Sequence, residues 1–191
     1  MQVPSARLQE NLRKGLRSLY TLYGDEPLLQ QEAADLIRQE ARAQGYSERH
    51  VFTVAGAHFD WTEVQAAGAS MSLFADKLLL DLRIPSGKPG KEGSVALQRL
   101  AEMAPENDGV LTLVLLPRLD KTSKNSGWFL ALDANGITVQ LDPIERNALP
   151  AWIAQRLSQQ QQRVREGEEG QRSLQFFADR VEGNLLAAHQ E

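Results

Sequence analysis

The run GVLTLVLLP, residues 109–117, is almost unbroken apolar chain. It is too short to cross a bilayer and too apolar to leave either face in water. A strand of this kind belongs at the centre of a sheet covered on both faces, which is the setting of parallel strands with helical crossovers. Whatever else the chain does, it must supply helices for two faces of one sheet.

The flanking sequence supplies them. Leu8, Leu12 and Leu16 recur every four residues, a short amphipathic helix. SLYTLYG then runs as a first strand into DEPLL, where Pro27 suits the first helical position and the two acids suit the positive end of the helix dipole. Leu29, Ala33, Leu36, Ile37 and Ala41 mark one helical face, and Gly45 ends it. HVFTV, residues 50–54, reads as a second strand. Asp60 and Glu63 have capping-box spacing ahead of a helix with Trp61, Val64, Ala67 and Gly68 facing inward.

KLLLDLR forms a third strand interrupted by Asp81, and Ser94 opens a helix through Leu97, Leu100, Ala101 and Ala104. A helix around Trp128, Phe129 and Leu132 precedes GITVQL, the fifth strand. Strands alternating with helices predict an α/β fold with a parallel five-stranded sheet and helices on both faces. After Leu141 the strands cease. Leu149, Trp152, Ile153 and Leu157 are helix-spaced behind Pro150, SQQQQRVREGEEGQRS reads as a helix end and loop, and LQFFADRVEGNLLAAHQE resumes helical character. The expected division is an α/β domain over 1–142 and a small helical, lid-type domain over 143–191. The apolar face led by Leu185 and Leu186 has no continuation, so the chain reads as stopping before a further domain.

Composition narrows the chemistry. At 42% hydrophobic and 24% charged, the 191 residues can bury a real core. A net charge of -4 gives no global positive field for nucleic acid, so any DNA contact is local or made through a partner. The absence of cysteine excludes disulfides, thiolate zinc sites and a cysteine nucleophile, and it suits a reducing compartment. With no signal peptide and no membrane span in the sequence, the expected location is the cytoplasm.

A parallel α/β sheet invites a nucleotide at the turn after its first strand, where a glycine-rich loop and a lysine would cradle phosphate. Here that turn reads YGDEPLL, with one glycine, no lysine and two carboxylates that repel phosphate. SGKPGKEGS, residues 86–94, has phosphate-like composition, but its spacing is wrong and it reads as a solvated connection. His50, His58 and His189 share no metal-ligand spacing. Asp81 reads as an edge or paired carboxylate rather than a metal ligand, and Lys121 and Lys124 as a solvated helix start. No catalytic residue, cofactor site or metal site emerges.

GASMSLFADK, residues 68–77, is left over. On a helix Met71 and Phe74 share a face while Leu73 is turned away by about a hundred degrees, so one face cannot bury all three. The alternatives are a core Phe74 beneath the third strand, or a helix that loosens after Ser70 and projects Leu73 and Phe74 outward.

LYTLYGDEPLLQQEAADLIR, MSLFADKLLLDLR, SKNSGWFLAL, LPAWI and VEGNLLA occur in an order that resembles the DNA polymerase III delta subunit family, over about Leu19 to Leu186. The resemblance implies an AAA+-like fold without ATP binding, and a non-catalytic clamp-loader subunit of the polymerase holoenzyme. It implies as partners the β sliding clamp, gamma/tau and delta-prime type loader subunits, and primer-template DNA within the complex. Met71, Leu73 and Phe74 match the positions the family inserts into the clamp, and a third, helical domain joins the family's ring. The competing function is a degenerate nucleotide-dependent enzyme, a phosphotransferase or NTPase, of the same architecture. A delta-prime type subunit would bring a zinc-binding cysteine cluster.

Overall fold

A computed structural model describes residues 1–56, 58–69, 77–181 and 184–186. The chain divides into two compact units, Met1–Asp25 with Leu29–Leu141, and Glu26–Leu28 with Asp142–Glu191. In chain order the elements are α1 (Leu8–Lys14), β1 (Leu19–Gly24), α2 (Pro27–Ala43), β2 (Glu48–Thr53), α3 (Trp61–Ala69), β3 (Leu78–Arg83), α4 (Gly90–Met103), β4 (Val110–Leu116), α5 (Lys121–Lys124), α6 (Gly127–Asn135), β5 (Ile137–Leu141), α7 (Leu149–Gln159) and α8 (Glu168–Val181).

The five strands are all parallel, in the order β2-β3-β4-β1-β5. The apolar run at 109–117 becomes β4, the middle strand. Alternation along the strands splits the core into two layers. Tyr20, Leu22, Leu79, Leu111, Leu113 and Val139 pack on one face with Ala34, Ile37 and Ala41 of α2 and Leu8 and Leu12 of α1. On the other face Leu82, Val114 and Leu116 meet Val64 of α3, Leu97 and Ala101 of α4 and Leu132 of α6. This is the AAA+-like α/β architecture that the sequence predicts, with helices on both faces.

Three boundaries differ from the sequence reading. Helix α4 opens at Gly90, not Ser94, so the second half of the supposed solvated connection is its first turn. Gly93 in that turn is buried beneath the Trp61 ring, from which a Cβ there would sit only 2.3 Å away. Apolar spacing misses this turn because backbone contact, not side-chain burial, fixes it. Strand β2 begins at Glu48, two residues early, as an edge strand. Helix α8 begins at Glu168, inside the polar run read as loop. Its opening is braced by Arg172 to Glu168 and Arg165 to Glu169, each 3.0 Å, contacts with no apolar signature.

In the second unit α7 packs on α8, and Arg146 pairs with Asp179 at 3.1 Å. Gly170 allows a backbone approach that a Cβ, 1.8 Å from the Arg165 carbonyl oxygen, would forbid. No helix among the described residues is long and apolar enough to cross a membrane.

Among the described strand residues the buried charge is Asp81, fully enclosed on the α2 side of β3. Its Oδ2 accepts from Arg38 Nε at 3.1 Å, Arg38 Nη2 at 2.7 Å and Arg49 Nη2 at 2.5 Å, and Arg83 Nε lies 3.4 Å from Oδ1. Burial alone would raise this carboxyl, but the bond from Arg49 and the charge and bonds of Arg38 outweigh it and hold it below the ordinary range. A carboxyl lowered in this way binds fewer protons folded than unfolded. Its stabilisation is therefore complete above the unfolded value, about 3.9, and lost as pH falls through the folded value. Asp81→Asn should cost roughly 3–5 kcal/mol at neutral pH, because it leaves the arginines around it without their counter-charge. Urea unfolding across pH should show this loss, together with a flatter acid limb than the parent's.

Candidate functional site

The carboxyl ends of the strands are where an open parallel sheet ordinarily binds ligands. β1 ends at Gly24, whose φ of 154° is open to glycine, and whose Cβ would lie 1.9 Å from the Leu141 carbonyl oxygen. Asp25 Oδ1 then accepts the Arg118 N–H at 3.1 Å. Glu26 is buried, and its carboxylate accepts the Leu28 N–H at 3.4 Å. Pro27, the first residue of α2, has no N–H to give. Glu26 thus occupies a backbone donor at the start of α2, and Asp25 one beyond β4, that could otherwise be offered to phosphate. Burial pushes the Glu26 carboxyl up, against the smaller opposing effect of the Leu28 N–H.

Farther along the same end, a cavity of about 530 Å³ lies between Val54, Trp61, Ser86 and the start of α4, with Lys88 and Lys91 on its wall. Ser86 folds back on its own loop, donating to the Lys88 carbonyl and accepting from the Lys88 N–H. The loop's hydroxyl is therefore spent internally.

The amino end of the sheet has a different character. α3 starts at the carboxyl end, where Asp60 Oδ1 caps it by accepting the Thr62 N–H at 2.8 Å, and runs back to the amino end. Trp61 and Val64 are buried, and Asn107 Nδ2 donates to the Gly68 carbonyl at 3.4 Å. A cavity of about 200 Å³ opens beside Gly68, between Leu100, Met103 and Val110. β3 starts at Leu78, and Lys77 sits over the Tyr46 ring at 5.1 Å. The expected binding residues Met71, Leu73 and Phe74 lie outside the described residues. What the fold fixes is the two roots of their segment: α3 ends at Ala69, β3 begins at Leu78, and both lie at the end of the sheet opposite the Gly24 turn.

The remaining candidates are dispersed. His50 Nε2 is 2.7 Å from Glu48 Oε1 on the exposed edge strand, His58 is exposed, and His189 is outside the described residues. Among the described residues no cluster of His, Asp or Glu could hold a metal. Lys121 opens α5 behind its cap Asp120, whereas Lys124 is less solvated than its sequence suggests, with Nζ 5.0 Å from the Tyr23 ring centroid and 3.3 Å from Gln140 Oε1. Sequence reasoning did not assign Arg38, Arg49 and Arg83 to Asp81. Only the lone acid in an apolar strand signals that counter-charges must come from somewhere.

Against known proteins, the family profile described as "DNA polymerase III, delta subunit" matches residues 20–142. DNA polymerase III subunit delta of Escherichia coli is 34% identical over 96% of this chain and 51% of its own length. The Haemophilus influenzae subunit delta is 30% identical over 78% of this chain and 43% of its own. The chain thus spans about half the length of these relatives. Among solved structures, the Bacillus subtilis DNA clamp loader delta protein aligns with a TM-score of 0.69 at 17% identity, covering 97% of this chain and 55% of that one. A Thermotoga maritima RuvB variant aligns at 0.57 with 15% identity, over 97% and 57%. At these identities the two structures speak for the fold alone.

The buried Glu26 carries a measurable consequence. A carboxyl raised by burial binds more protons folded than unfolded, so stability declines as pH rises from the unfolded value through the folded one. Glu26→Gln should melt at a higher temperature than the parent at neutral pH and lose that decline. A variant with the parent's pH dependence would show that the carboxyl is solvated.

Proposed function

This chain belongs to the DNA polymerase III delta subunit family, and we propose that it serves as the part of a clamp loader that binds the β sliding clamp and favours its opening for loading onto primed DNA. The observation that carries this reading is the 34% identity to the Escherichia coli subunit across 96% of the chain, a span that takes in the segment around Phe74.

In this reading Leu73 and Phe74 form an apolar tip inserted into a pocket on the clamp, with Met71 supporting it. Burying a Leu and a Phe from water contributes roughly 1.5–3 kcal/mol each, and such anchors can dominate an interface. The tip opens a clamp only by binding the open or strained form better than the closed one, since a ligand shifts an equilibrium by its differential affinity. No hydrolysis by this chain is needed. The crowded, acid-lined turn after β1 supports a non-catalytic role, and gamma/tau and delta-prime type neighbours would supply nucleotide-driven movement around the primer-template.

The frame suits the task. Both roots of the segment are held by packed elements, Val64 and Trp61 in α3 and the buried β3, so force on the tip is borne by the sheet. The paired substitution Leu73→Ala with Phe74→Ala should weaken clamp binding by about a hundredfold or more in calorimetric titration, following from the burial energies above. Unchanged affinity in a folded variant would contradict the proposal.

A further inference from the structure

Strand β2 has a neighbour on one side. Its Glu48 and Val54 N–H groups donate to Lys77 and Arg83 across the β3 ladder at 3.4 and 2.8 Å. Alternate residues of a strand point their backbone groups in opposite directions, so Arg49, Val51 and Thr53 aim theirs at the outer edge. Among the described residues no strand pairs there.

The same three residues carry their side chains on the α2 side of the sheet, in register with Leu79, Asp81 and Arg83. The α2-side core layer draws on β1, β3, β4 and β5 and includes no residue of β2. Val51 is accordingly 47% exposed in the middle of the strand.

Charge on this shelf is unbalanced. Arg38, Arg49 and Arg83 converge on the single buried carboxylate of Asp81, and Asp35 supplies one more acid through Arg38 Nη1 at 2.7 Å. Arg38 is spent on these two acids. Arg49 uses Nη2 alone, and Arg83 reaches Asp81 by a long contact through Nε alone, so the other guanidinium donors of both have no bond among the described residues. An arginine that guards an edge stands out in water. Here Asp81 draws Arg49 back onto the sheet, which leaves the edge N–H groups clear and fixes two forked donors on either side of Val51.

We infer that the outer edge of β2 docks an extended acidic segment of a partner protein, which adds as a sixth strand. Its backbone takes the free groups of Arg49, Val51 and Thr53, an apolar side chain covers Val51, and carboxylates pair with Arg49 and Arg83. Two available guanidiniums around an apolar centre fit such a peptide better than a nucleic-acid backbone, whose affinity grows with the number of phosphates neutralised. This site is independent of Leu73 and Phe74 and stands or falls apart from clamp binding.

The test uses the chain with a fluorescent peptide of alternating Glu and Val, followed by anisotropy and by the amide NMR signals of Arg49, Val51 and Thr53. Binding should shift those three signals, vanish when the peptide backbone is N-methylated at alternate residues, and weaken about tenfold in Arg49→Ala with Arg83→Ala. That variant keeps Asp81 paired with Arg38, and its melting curve establishes that it is folded. Failure of the peptide to bind, binding that survives N-methylation, or capture of a single-stranded DNA oligonucleotide at these residues in place of the peptide would each overturn the inference.

Discussion

Strand β4 has no polar face, and the rest of the molecule answers to that. Leu111 and Leu113 require α2 on one side, while Val114 and Leu116 require α4 and α6 on the other. Covering both faces of one strand commits the sheet to parallel pairing through helical crossovers. With both faces covered, function is left to the ends of the strands and to the open edge of the sheet.

The two ends are chemically opposite. At the carboxyl end of β1, Glu26 takes the Leu28 N–H, Asp25 reaches across to the Arg118 N–H beyond β4, and Gly24 is pressed against the Leu141 carbonyl. Carboxylates at this turn would repel a triphosphate by charge. At the amino end the α3–β3 connection carries the apolar residues that the family likeness links to clamp binding. In the proposed reading this turn needs no phosphate cradle, because nucleotide-driven movement would come from neighbouring subunits.

Much of this was legible in residues alone. Short apolar runs and period-four apolar spacing located every strand and most helices, and the acids at Asp25 and Glu26 argued against nucleotide binding before any geometry. The missed starts of α4 and α8 share a cause. Gly90–Ser94 and Glu168–Ser173 are held by backbone proximity at Gly93 and Gly170 and by charge pairs, and neither leaves an apolar period. Strand order was not legible either, so nothing in HVFTV marked β2 as the edge. Asp81 was legible as an anomaly, but its arginines come from α2, β2 and β3, a convergence that only the fold creates. Met71, Leu73 and Phe74 remain a reading of sequence and family.

The proposed function divides the labour: the sheet would supply rigidity, and residues 70–76 would make contact with the clamp. Amide hydrogen exchange of the chain mixed with its cognate β clamp, in the absence of nucleotide, separates this from the alternatives in one experiment. Protection is expected to rise over residues 70–76 and to leave the β1–α2 turn unchanged. Protection that appears at residues 24–27 with ATP, with none over 70–76 with clamp, would contradict it and return the chain to the nucleotide-dependent enzymes.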